Sequence, residues 1–259
     1  MKESAKARRQ KRHYRRNKSQ GKMNLVSLMD IFTILVFFLL VNASDVQTLP
    51  SPKDLDLPES SAEKQAEALN LARLAKDCGA EAIALIPRIE DAPVARSEQR
   101  GLLKDALNAL QPMLEKVGMV ALIECLGFSN SSLRLKADAV AVLDDIGRPA
   151  CFGLIHDTFH HALAEETAIF ADLTRLVHIS GVVDQQIGYS DMTDVHRGLV
   201  DGNDTLGNLT QIAQLRSAGY VGPFSFEAFS PSVHNLNDPK DSLSESATFI
   251  SSKVASMAA

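Results

Sequence analysis

Five times along the last two hundred residues of this 259-residue chain, a short apolar run gives way to a longer amphipathic stretch. The runs span residues 82–86, 119–123, 151–155, 173–179 and 223–229. Short, nearly continuous apolar runs of this kind predict strands covered on both faces. Between them Leu102, Leu103, Ala106, Leu107, Leu110, Met113, Leu114 and Val117 recur at helical spacing, as do Leu206, Leu209, Ile212 and Leu215. A further helix over 66–77 precedes the first run. Repeated strand-then-helix units imply parallel strands joined by crossovers, so the fold class is α/β. Either a (β/α) barrel or an open doubly wound sheet satisfies the pattern.

The polar residues separate these two architectures. In a barrel, chemistry gathers at the C-terminal ends of the strands. Each run here ends in a candidate: Arg88 and Asp91, then Glu124, then Asp157 with His160 and His161, then His178, then Glu227. Period-two alternation sends Glu124, Asp157, His178 and Glu227 the same way, with Val120 and Leu122, Gly153 and Ile155, Leu176, and Ser225 behind them on the same inward faces. Carboxylates with one imidazole suit Mn, Mg, Co or Zn as the divalent ion. No glycine-rich phosphate loop occurs, which weighs against a nucleotide-binding open sheet.

The first 65 residues have a different character. Residues 1–22 hold ten of the 27 Lys and Arg and one of the 32 Asp and Glu, leaving 17 basic against 31 acidic residues in the remainder. The net charge of −5 therefore describes neither part. Residues 23–43 form an apolar run of ~30 Å as a helix, enough to cross a hydrocarbon core. Lone Asp30 stands within it, where a charged carboxylate costs several kcal/mol and a proton-exchanging role is the default reading. A plainer reading makes Asp30 a polar helix-pairing residue. The basic leader places the N-terminus in the cytoplasm and the rest across the inner membrane in a single pass, making the larger part periplasmic. A cleavable signal peptide is the competing reading of the span, against which Asp30 and the long leader count. Nucleic acid is not expected as a partner, because Tyr14 is the leader's only aromatic residue. Pro50, Pro52 and Pro58 mark residues 44–65 as a linker.

MNLVSLMDIFTILVFFLLVNASDV followed by LPSPKDLDLPES resembles the N-terminal part of the ExbD/TolR family of biopolymer transport. That resemblance implies that Asp30 couples proton flow inside an ExbB/TolQ-like membrane partner. Thr33, one turn on, lies on the same helix face. The pieces ALIPRIED, ALIECLGF, CFGLIHDTFHHALAEE, LVHISGV, HRGLVDGNDTLGN and GPFSFEAFS resemble, in order, the sugar phosphate isomerase/epimerase family with the xylose-isomerase-like TIM barrel. The likeness is nearest to inosose dehydratase-like and hydroxypyruvate isomerase-like members. It implies Glu124, Asp157, His178 and Glu227 as ligands of a divalent metal, with Glu124 and Glu227 also moving the substrate proton. It further implies that His160 and Arg197 meet a small sugar-like or polyol substrate. By motif order the five runs match the fourth to eighth strands, so residues 66–259 are expected to form a partial barrel of about five of eight units. Its open sheet edges would invite self-association.

Other residues have plain readings. His156 should face the helices, His161, His196 and His234 have no evident partner, and Asp144, Asp145, Glu165 and Glu166 read as solvated helix faces. Cys78, Cys125 and Cys151, without paired spacing, read as small hydrophobes of a reducing compartment, at odds with export. Three accounts follow: a tethered metal-dependent enzyme, a proton-channel subunit with a replaced outer domain, and a non-functional fusion joined near Gln65.

Overall fold

The computed structural model describes residues 62–90 and 95–257. Asp30, Thr33, the span 23–43, most of the expected linker and Asp91 lie outside the described residues. The described elements run α1 (Ala62–Asp77), β1 (Ala82–Leu85), α2 (Arg96–Val117), β2 (Val120–Glu124), α3 (Lys136–Asp145), β3 (Phe152–Asp157), α4 (Thr158–Leu163), β4 (Thr174–Ile179), α5 (Asn208–Ser217), β5 (Phe224–Phe226), α6 (Pro231–His234) and α7 (Pro239–Met257), with a 3-10 turn at Asp194–His196. All five expected strands form. Helix α1 begins four residues earlier than expected, inside the stretch read as linker.

The strands make one sheet in the order β1-β2-β3-β4-β5, and every neighbouring pair is parallel. A doubly wound sheet reverses direction at a switch point. This order never does, so the arrangement is a partial (β/α) barrel. The register carries the inward face across the sheet: Leu122 sits opposite Gly153 and Glu124 opposite Ile155, Ile155 opposite Leu176 and Asp157 opposite His178, and His178 opposite Ser225.

The alternate residues pack outward against the helices. Ala121, Ile123, Phe152 and Leu154 join Leu107 and Leu114 of α2 and Ala139, Val142 and Leu143 of α3 in one core. Val177 and Ile179 join Ile212 and Leu215 of α5 and Ile250 of α7 in a second. The spacing of Leu103, Leu107, Leu110, Leu114 and Val117 lays α2 along the sheet, where each buried aliphatic side chain contributes about 1.5–3 kcal/mol. Helix α2 ends at Gly118, whose φ of 69° is a left-handed cap that a side chain would strain. Cys125 and Cys151 are buried and Cys78 is exposed, all as free thiols. Among the described residues no helix is long and apolar enough to cross a membrane.

Candidate metal centre

Four strand ends converge. Glu124 is the last residue of β2, Asp157 the last of β3, and His178 the penultimate residue of β4. Glu227 follows β5 directly, held by its backbone N–H donating to the Ile179 carbonyl at 2.9 Å. Glu124 and Asp157 are each only 3 % exposed, whereas the His178 and Glu227 side chains are 14 % and 28 % exposed, so the cluster opens toward Glu227. One donor atom from each of the four lies within 4.8 Å of the others. His178 Nδ1 is 2.9 Å from Glu124 Oε1, 3.1 Å from Glu227 Oε2 and 4.0 Å from Asp157 Oδ2.

Arg197 closes the back of this cluster. Its Nη2 donates to Asp157 Oδ2 at 2.5 Å and to Glu227 Oε2 at 2.6 Å. Its Nε donates to Ser180 Oγ at 3.0 Å and its Nη1 to Asp194 at 3.2 Å. The guanidinium carbon lies 5.0 Å from the Phe159 ring centroid and 4.9 Å from that of Phe229, so the cation is gripped between two aromatic faces. The side chain is 2 % exposed. Sequence reading gave Arg197 to the substrate and passed over Ser180, Asp194, Phe159 and Phe229. Ser180 could have been found, since it stands two residues beyond His178 in line with its face.

Charge explains the local protonation. Burial works against a charged His178, but hydrogen bonds to Glu124 and Glu227 outweigh it and lift the imidazole to about 10. Burial pushes Asp157 up, against the pull of Arg197. Burial also opposes charge on Glu227, yet the hydrogen bond and charge of His178, with Arg197, hold its carboxyl well below the usual range. An ion bound here would displace the His178 proton, leaving three carboxylates and one fixed guanidinium around a neutral imidazole, a net of two negative charges to match one divalent cation. The donor set thus fits such an ion in both number and charge.

His160 lies 3 % exposed, edge-on to Phe128 at 5.0 Å and Phe159 at 5.2 Å between ring centroids. Its Nδ1 has no hydrogen-bond partner. Burial, then the charge of Arg197, lowers it to about 3, which keeps the ring neutral. The backbone N–H of His160 donates to Asp157 Oδ1 at 2.9 Å, so one carboxylate both faces the cluster and caps α4.

His156 faces the helices as expected, with Nε2 2.9 Å from Gln211 Oε1. Several expectations are corrected. Glu166 is no solvated face: its side chain is 7 % exposed and pairs with Lys136 at 3.1 Å. His161 has a partner, Lys136 Nζ, at 2.7 Å. His196 pairs locally with Thr193, and His234 rests edge-on to Phe229. Arg88 bonds Glu90 at 2.8 Å and is not part of the cluster.

Carboxylates and an imidazole gathered at the C-terminal mouth of a parallel partial barrel define an α/β barrel protein with a candidate metal centre. The model of the xylose isomerase-like TIM barrel family matches residues 45–253, and the chain belongs to that family. Among solved structures it is similar to a xylose isomerase domain containing protein from Salmonella typhimurium, at 27 % identity and a TM-score of 0.64, covering 75 % of this chain and 71 % of that one. It is also similar to the IolI protein with a bound zinc atom, at 17 % identity and a TM-score of 0.68, covering 76 % and 73 %. D-allulose 3-epimerase from Methylomonas sp., solved with D-allulose, is 19 % identical with a TM-score of 0.54, covering 75 % and 72 %. The last two likenesses are of fold alone. No curated protein matches the chain.

Proposed function

We propose that this chain is a divalent-metal-dependent isomerase, epimerase or dehydratase acting on a small sugar-like or polyol substrate or its phosphate. The observation that carries this is the meeting of Glu124, Asp157, His178 and Glu227 within 4.8 Å at the mouth of the sheet. Those four residues would hold the ion, and a solved relative of the same fold carries zinc. Such an ion supplies Lewis-acid polarisation of a hydroxy-ketone, which acidifies the neighbouring C–H. Glu124 and Glu227 are the groups that take and return that proton. Glu227 is the more accessible and stays ionised, the state in which a carboxylate accepts a proton. Neutral His160 presents its ring to substrate oxygen, while Arg197 keeps Asp157 and Glu227 in place from behind.

The test uses the purified full chain loaded with Mn, Mg, Co or Zn. Metal content near one ion per chain is expected, with metal-dependent uptake of solvent deuterium into a ketose or inosose. Glu227→Gln should abolish that exchange in a folded protein. A folded chain that takes up no divalent metal would end the reading.

We propose separately that residues 23–43 anchor the chain in the inner membrane, with Asp30 as a proton-coupling group beside an ExbB/TolQ-like partner. The lone carboxylate in an apolar run behind a basic leader supports this. Retention in the membrane fraction after alkaline carbonate washing is expected, and full release would count against it.

A further inference from the structure

Behind the sheet, on the face away from the metal cluster, runs a second polar group that the proposed reaction does not use. Lys136, at the start of α3, is 3 % exposed. Its Nζ reaches both His161 Nδ1 at 2.7 Å and Glu166 Oε2 at 3.1 Å. Glu166 accepts two further bonds, from the backbone N–H of Lys136 at 3.1 Å and of Ala137 at 2.8 Å. It thereby satisfies first-turn donors of α3, whose N-cap Leu135 offers no side-chain bond. The ring of His161 lies 4.7 Å from that of His156, and His156 Nε2 meets Gln211 Oε1 at 2.9 Å. Gln211 Nε2 in turn donates to the carbonyl of Thr158 at 3.0 Å.

Two of these contacts fall on α4 itself, a helix of six residues: Lys136 with His161, and Gln211 with the Thr158 carbonyl. A helix that short has no stability of its own in water and takes its position from what packs against it. Asp157 caps its start, His160 sits inside it, and His161 follows in its last turn. Gln211 holds the first carbonyl of α4 and Lys136 the ring in its last turn, so the helix is gripped at both ends. A buried lysine and carboxylate are costly to desolvate, and hydrophobic replacements of similar size often match or exceed them in stability, so such a pair is better explained by the geometry it imposes.

We propose that Lys136, Glu166 and His161 form a positioning cluster that sets α4, and through it the Asp157 carboxylate and the His160 ring. This rests on the proposed metal site but concerns a different set of residues. None of the three belongs to the four ligand candidates. Lys136 fixes the His161 tautomer by donating to Nδ1, and Glu166 holds Lys136 at the first turn of α3.

The test compares the full chain with Lys136→Met and Glu166→Gln, reading the thermal midpoint, Mn²⁺ affinity by titration calorimetry, and the His160 imidazole signals by NMR. Lys136→Met leaves the Glu166 carboxylate buried without its cation and is expected to lower the midpoint; in the chain that stays folded, Mn²⁺ binding weakens roughly 10–100-fold, the range for residues that orient metal ligands, and the His160 signals shift. Glu166→Gln, which keeps the shape and one acceptor, should show the same changes at smaller size. A folded Lys136→Met chain with unchanged affinity and unchanged His160 signals overturns the proposal. Should Lys136→Met not fold, Glu166→Gln decides by the same two readings. Should the unaltered chain bind no Mn²⁺, the metal reading falls by itself, and the His160 signals alone decide for or against the cluster.

Discussion

Arg197 shows how one buried side chain can hold two ligand candidates at once. With Nη2 shared between Asp157 and Glu227, replacing it by Lys removes the planar fork while keeping the charge. Arg197→Lys should therefore weaken divalent metal binding roughly 10–100-fold, measured by calorimetry. Acid stability is a second matter for single side chains. His161 drops from 6.5 to about 3 through burial and the Lys136 charge, so below pH 6.5 the unfolded chain binds a proton that the folded chain refuses. Stability must then fall as pH drops from about 6.5 toward 3, by about 1.4 kcal/mol per pH unit for this group at most. His160 and His156 are lowered in the same direction. Denaturant melts at a series of pH values should show the decline, and His161→Gln should flatten it by one proton's worth. The four ligand candidates were readable from sequence, since period-two alternation acts within each strand and each carries its polar residue at the same end. Lys136, Glu166 and His161 were not. They meet across 25 to 30 residues of intervening chain, and a buried glutamate is spelled like a solvated one until its partner is placed.

Among the secondary structures, the strands followed their apolar runs to within three residues, the largest gap being at the end of β5, because a strand covered on both faces leaves little choice of composition. Helix α2 followed its 3.6-residue stripe in the same way. Helix α4 had no such mark, being short and fixed by polar contacts rather than by an apolar face. Its close fit appears at Gly127, where a side-chain carbon would come 2.2 Å from the His160 carbonyl and 2.8 Å from Leu163 Cβ. Gly127→Ala should accordingly cost about 1–3 kcal/mol in denaturant melts and displace α4, with metal affinity falling alongside. Leu154→Ala, at a residue with 0 % exposure in β3, should cost about 2–5 kcal/mol.

For the chain as a whole, the strand order decides the architecture more firmly than any motif. The alternation of apolar runs and amphipathic stretches fits a barrel and a doubly wound sheet alike, since both are built from the same local units; the polar strand ends favoured the barrel, and which strands become neighbours decides it. Cooperative unfolding of the larger part would argue against a non-functional fusion, and a saturating divalent ion at 100 times its dissociation constant should add about 2.7 kcal/mol to its stability. Self-association through the β1 edge, near Ile86 at 63 % exposure, should appear as concentration-dependent sedimentation that Ile86→Lys removes. Because the four donors stand at the ends of four successive strands, an ion among them would be a rivet driven through the sheet. Hydrogen exchange should then show the amides of β2 to β5 slowing together when the ion is added, while those of β1, outside the rivet, keep their pace.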